Sequence, residues 1–246
     1  MDNTGVGSFY ENQIRVRTGL PSCANFFKEF VMNKTQKLVT SAMLIALGTA
    51  ISFVSEWIPF LNLPFGGTIT LASLLPLVLI SFMYGIRWGL GSAFVYSLLQ
   101  MAVGFKTVSA LFIPTSDSYV GAGIAILILL LDYVLAFTSV GLGGIFRDCL
   151  SKKWAIVWGS VLGLFLCYLF HVISGAVFYG AWAEWFFTES AAKEFAISAW
   201  VMKTFSGAGL ATAYSVIYNG LYMLPEILIT AFCGYAIAKI PTVKKG

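Results

Sequence analysis

Residues 121–140 read GAGIAILILLLDYVLAFTSV, an apolar run broken by a single acid, Asp132. About 20 residues of this character are enough to cross the hydrocarbon of a bilayer, and a stretch so apolar has no place on a water-facing surface. Asp132 follows an unbroken apolar segment at 124–131 and precedes Val134-Leu135-Ala136-Phe137, so on a helix it lies well inside that hydrocarbon. An acid near the centre of a membrane helix costs roughly 2.5–3.5 kcal/mol to insert and needs a compensating partner, which makes function its default explanation. The plainer alternative is an acid protonated or paired for structure alone.

The rest of the chain repeats the pattern. Its 246 residues are 59% hydrophobic and 11% charged, against about a quarter charged in ordinary globular domains. Apolar runs near 36–55, 68–85, 88–104, 120–146, 154–179 and 209–238 predict an all-α integral membrane protein of six transmembrane helices. The second and third runs are joined only by Gly85-Ile86-Arg87, which forces an antiparallel hairpin. With both termini in the cytoplasm, the inner segments carry Lys34, Lys37, Arg87, Arg147, Lys152, Lys153, Lys239, Lys244 and Lys245, and the outer loops only Lys106, Lys193 and Lys203. That bias predicts an N-in, C-in orientation in the cell membrane.

Residues 1–34 read as a polar N-terminal tail without a signal peptide's apolar core, and 35–246 as the membrane domain. Met32-Asn33-Lys34-Thr35 leads directly into the first apolar run, which predicts a translation start at Met32. The net charge of +4 is spread over helix ends without a basic block, so nucleic acid is not an expected partner. Cys23, Cys149, Cys167 and Cys233 show no paired spacing, and one histidine cannot build a multi-histidine metal site.

Other spans carry polar groups at depths comparable to Asp132. Tyr168, His171, Gly175, Phe178 and Trp182 recur at helical spacing on the fifth run, with Tyr179 beside that face. Tyr214, Ser215, Tyr218, Asn219, Tyr222 and Glu226 crowd the sixth, where the spacing of Asn219, Tyr222 and Glu226 puts them on one helix face. Pro225 predicts a kink there. Interhelical hydrogen bonds that glue the bundle would account for single members of this set. Acid, imidazole, amide and phenols on three spans together predict a pocket, and a carboxylate among aromatic rings suits a flat, cationic solute. The outer loops concentrate Glu56, Trp57, Phe60, Trp182, Glu184, Trp185 and Glu189, an aromatic belt or a cover over that pocket. Residues 183–205 alternate Phe186, Phe187, Phe195 and Trp200 with polar groups and predict an interfacial helix.

Ala42, Ala46 and Ala50 recur every four residues on the first span, a smooth strip that lets another helix approach, either within the chain or from a partner. The chain has no Gly-rich phosphate loop, nucleophile elbow or paired histidine ligands.

Several segments taken in order resemble a known family. They are Gly67-Thr68-Ile69-Thr70-Leu71-Ala72-Ser73-Leu74-Leu75-Pro76-Leu77, residues 85–100, Leu131-Asp132-Tyr133-Val134-Leu135-Ala136-Phe137, His171-Val172-Ile173-Ser174-Gly175 with Phe178-Tyr179, and residues 214–219 with Tyr222, Met223, Pro225 and Glu226. Across most of 38–240 the chain resembles the substrate-binding S-components of energy-coupling factor (ECF) vitamin transporters, and within them the thiamine-specific branch. The resemblance implies an S-component-like bundle that captures thiamine from outside and docks through the alanine strip on a transmembrane coupling subunit carrying two ATPases. It implies no cofactor, with ATP used only by the partners. Asp132, Tyr133, His171, Tyr179, Tyr214 and Asn219 match pocket positions, and Trp57 matches the aromatic of the covering loop. Asp132 stands where glutamate is usual and Tyr179 where tryptophan is usual, so the acid reaches less far and the ring stacks less. Competing readings are an S-component for another vitamin or pyrimidine precursor, a membrane enzyme using Asp132 and His171 as acid and base, and an autonomous ion-coupled carrier.

Overall fold

The computed structural model describes residues 23–63 and 67–240, with side chains from Lys34 onward. The expected polar tail, and Lys244 and Lys245 as flanking charges, lie outside the described side chains. Two compact units divide the chain at Met43/Leu44. The first ends within α1 (Cys23–Glu56); the cavity described below belongs wholly to the second.

After α1 come a 3₁₀ turn (Pro59–Leu61), α2 (Leu75–Tyr84), α3 (Ile86–Val103) and the short α4 (Phe105–Ala110). Then follow α5 (Ala122–Gly144), α6 (Lys152–Phe178), α7 (Ala183–Thr188), α8 (Ala196–Thr204) and α9 (Gly207–Ile237). No strand occurs among the described residues; Asn62 and Thr68 form an isolated antiparallel bridge. Four helices are long and apolar enough to cross a membrane: Lys34–Glu56, Ala122–Gly144, Lys152–Phe178 and Gly207–Ile237. Their outer surfaces carry large exposed apolar side chains, among them Val177, Leu224, Leu228 and Phe232, the arrangement lipid demands and water penalises.

Four of the six expected spans are long apolar helices, and α2 is shorter than its apolar run. The second apolar run does not become helical at Thr68, because Leu71 and Ala72 adopt left-handed backbone at φ 50° and 68°, which no right-handed helix contains. The helix therefore starts at Leu75 and has 10 residues, about half of what the hydrocarbon requires. α3, with 18 residues, carries Arg87, Ser92, Ser97 and Gln100 and is less apolar than the four. Gly85 alone separates α2 from α3, and its φ of 90° is open to glycine without strain, so the predicted hairpin forms with a tighter corner than its sequence showed.

One cluster of buried residues joins most of the helices: Ile45 from α1, Leu77, Val78 and Ile80 from α2, Tyr96 from α3, Val140 from α5, Leu164 and Cys167 from α6, and Met223 and Ile227 from α9. In lipid such a cluster is held by close packing rather than by escape from water. Small residues permit it. Ser81 on α2 donates its hydroxyl to the Gly141 carbonyl at 2.5 Å and accepts from the Gly144 amide at 3.0 Å, so the tight end of α5 is satisfied from a neighbouring helix. α6 and α9 make the most extensive helix pair. A second cluster packs Ala183, Phe186, Phe187, Ala192 and Val201 of the 183–205 segment on Leu210, Tyr214 and Tyr218 of α9. Phe195 and Trp200 stay exposed, and in place of one helix the segment forms two short ones joined by a 3₁₀ turn at Ala191–Glu194.

Candidate ligand-binding site

Asp132 and Tyr133 sit in a π-helical stretch, Leu129–Leu135, within α5. A π turn inserts an extra residue and redirects the side chains beside it, and such turns recur at functional sites. Here the redirection puts Asp132 against α6: its Oδ1 lies 3.1 Å from Nδ1 of His171, and its Oδ2 accepts from the Ser174 hydroxyl at 2.8 Å. A carboxylate can only accept, so His171 donates from Nδ1 and leaves Nε2 to other partners. The histidine and aspartate side chains retain 13% and 20% exposure. The pair answers the sequence question about Asp132: its compensating partners are His171 and Ser174, three residues apart on one helix.

The opposite wall is α9. Gly175 lets it approach α6 closely, since a Cβ at that position would overlap the Ser215 hydroxyl. Ser215 donates to the Val172 carbonyl at 2.8 Å, and Asn219 donates from Nδ2 to the carbonyls of Ser215 at 2.8 Å and His171 at 3.3 Å. The Tyr222 hydroxyl then donates to Asn219 Oδ1 at 2.6 Å. Asn219 is thus held on every side and aligns the two helices. Aromatic rings continue edge-to-face from Tyr96 to Phe137, His171 and Tyr222, and on from Tyr222 to Tyr218. Phe186 of the outlying segment braces Tyr214 and Tyr218 from behind, at 5.2 and 5.8 Å.

These side chains enclose a cavity of about 450 Å³, within the range of small-molecule sites. Asp132, Tyr133, His171, Tyr179, Tyr214 and Asn219 all line it. Trp57 does not: it is 74% exposed and stands edge-on to Phe53 at 5.9 Å, on the short segment beyond α1. The wall also includes Glu56, Tyr96, Gln100, Phe137, Tyr218, Tyr222 and Glu226. The polar crowding of α9 announced Tyr218, Tyr222 and Glu226, whereas Tyr96 and Gln100, hydrogen-bonded to each other across one turn of α3, were legible only as two polar residues in an apolar run. Ser174 entered only as one member of the segment His171–Gly175, with no role of its own.

Three carboxylates reach the wall and, among the described residues, no lysine or arginine does, so the cavity favours positive charge. Ring faces reinforce that preference. No group of three or more His, Cys, Asp or Glu side chains that could hold a metal ion occurs among the described residues. Ala46 and Ala50 are exposed on α1, and so is Ala42 in the N-terminal unit.

A helical bundle with lipid-facing surfaces and an acid-bearing aromatic cavity defines a multi-pass membrane protein suited to holding a small solute. The family model described as Thiamine transporter protein (Thia_YuaJ) matches residues 38–185. The thiamine transporter ThiT of Bacillus subtilis (strain 168) is 29% identical, over 81% of this chain and 90% of that protein. A solved structure of ThiT from Listeria monocytogenes matches with a TM-score of 0.57 at 18% identity, covering 86% of this chain and 98% of that one; at this identity the likeness concerns the fold. The chain belongs to the thiamine transporter protein family: it is a transporter rather than an enzyme, and a multi-pass protein of the cell membrane.

Proposed function

We propose that this chain is the thiamine-binding S-component of an ECF-type importer, capturing thiamine from outside and delivering it inward with a separate coupling subunit and two ATPases. The observation that carries this reading is Asp132, held by His171 and Ser174 in the wall of an aromatic cavity. Thiamine is a flat cation with an aminopyrimidine ring, and it needs a counter-charge, ring faces and a few fixed hydrogen-bonding groups. Asp132 supplies the first, Tyr133, Tyr179, Tyr214 and Tyr222 the second, and His171 and the phenol hydroxyls the third. Asn219 aligns the wall. The family's description and the B. subtilis relative's name favour this cargo over another vitamin or a pyrimidine precursor.

In this reading α2 and α3 complete six spans, with both termini inside, as the distribution of lysine and arginine favours. The exposed alanines Ala42, Ala46 and Ala50 form the docking strip for the coupling subunit, and their exposure favours a partner over a neighbouring helix of the same chain. Trp57, on the segment leading toward the cavity, belongs to the covering loop and meets the ligand on closure.

Titration of the detergent-purified protein with thiamine, followed by tryptophan fluorescence, tests the proposal. Saturable binding in the wild type that Asp132→Asn weakens supports it. A folded protein that gives no response at high thiamine moves the cargo to another molecule.

A further inference from the structure

Glu226 is 2% exposed, lines the cavity from α9, and has no basic side chain among its hydrogen-bond partners. Its carboxylate is spent on backbone amides and threonine hydroxyls. Oε2 accepts from the Thr70 amide at 2.9 Å, the Thr230 hydroxyl lies 3.5 Å from Oε1, and the Thr70 hydroxyl and the Ala72 amide also face the carboxylate. The two amides lie on either side of Leu71, and Leu71 and Ala72 both have left-handed backbone. Side chains other than glycine visit that region rarely, and they stay there only when the surroundings over-determine it. Backbone amides from both sides of Leu71 turned toward one anion are such a surrounding. A second tie lies about two turns earlier on α9, where the Gly67 amide donates to the Tyr218 hydroxyl at 3.1 Å. Gly67, Thr68, Thr70 and Ser73 in turn line the cavity.

We propose that Glu226 is a positioning residue that clamps the turn at 67–73 to α9, so that retention of the ligand depends on a carboxylate at 226. The clamp fixes one wall of the cavity while leaving charge recognition to Asp132. A carboxylate suits the task because it accepts from several donors at once, whereas a glutamine would turn its NH2 group toward one of the same amides. Only the kinetic part of the following test rests on the thiamine reading.

The test compares wild type with Glu226→Gln by hydrogen exchange of peptides covering 67–74 and by the association and dissociation rates of thiamine. Loss of a hydrogen bond to a charged group predicts, for Glu226→Gln, exchange at 67–74 and thiamine dissociation each faster by on the order of tenfold. Association should change by less than about threefold, since clamping acts on the bound state. Unchanged exchange at 67–74 overturns the proposal, as does a rise spread equally over α6 and α9, or a local rise with unaltered dissociation. Should Glu226→Gln fail to fold, Glu226→Asp, which keeps the charge but falls one methylene short, takes its place in both measurements. If wild type does not bind thiamine, the capture reading falls and exchange alone decides the clamp.

Discussion

Asp132 engages different partners through its two oxygens, with His171 on one and Ser174 on the other, and this division sets the expected effects of substitution. Removing one member of a desolvated charge pair costs about 3–5 kcal/mol. Asp132→Asn should therefore weaken thiamine binding by on the order of a hundredfold or more, read by fluorescence titration; equal affinity in the two proteins would remove Asp132 from the site. Ser174→Ala deletes one hydrogen bond to a carboxylate, about 1.5–3 kcal/mol, and should weaken binding by about ten- to a hundredfold, with the larger loss kept for Asp132→Asn. A Ser174→Ala protein that binds as wild type would mean that His171 orients the acid alone. Asp132, His171 and Asn219 were legible beforehand because a polar side chain in an apolar run is visible in the sequence itself. Ser174 was not, because serine is common in membrane helices and only its distance to Asp132 distinguishes it.

At the scale of elements, two departures from regular helix build the site. The π stretch in α5 turns Asp132 and Tyr133 into the cavity, and the left-handed turn ahead of α2 brings non-helical backbone to the same wall. Non-helical backbone at membrane depth is tolerated where protein satisfies it, and here Leu61, Tyr218 and Glu226 accept from Ile69, Gly67 and Thr70. The α6/α9 seam is equally demanding. A side chain at Gly175 would collide with Ser215, whose hydroxyl bridges the helices, so Gly175→Val should destabilise the protein by about 1–3 kcal/mol through overpacking. The expected readout is a lowered unfolding midpoint together with lost thiamine binding, and a variant that keeps both would show that the seam can open without consequence.

For the whole molecule, the proposed S-component role makes capture and transport separable. A bulky side chain on the exposed alanine strip should spare the cavity and disturb docking, so Ala46→Trp is expected to leave the thiamine titration unchanged. The same variant should abolish ATP-driven uptake in vesicles that contain the coupling subunit and ATPases. Normal uptake by Ala46→Trp would place the contact elsewhere on the surface. Orientation has its own check: Lys193→Cys should react with a membrane-impermeant maleimide in intact cells and Lys152→Cys only after lysis, and the reverse pattern would overturn the N-in, C-in reading.

Hydropathy is a local and additive property, so the sequence by itself determined that this chain lives in a membrane and where its long helices run. A buried acid is costly wherever it falls, and for that reason Asp132 stood out with no structure to place it. What only the tertiary structure decided is which polar groups meet. The residues that face one another across the cavity are contributed by segments far apart in the chain, and the turn that shortens α2 depends on Glu226, 156 positions from Thr70. An apolar run at 68–85 looks helical because local preference sees only its neighbours. The carboxylate that accepts from the backbone of that run arrives from the last helix, a partner that no local preference can anticipate.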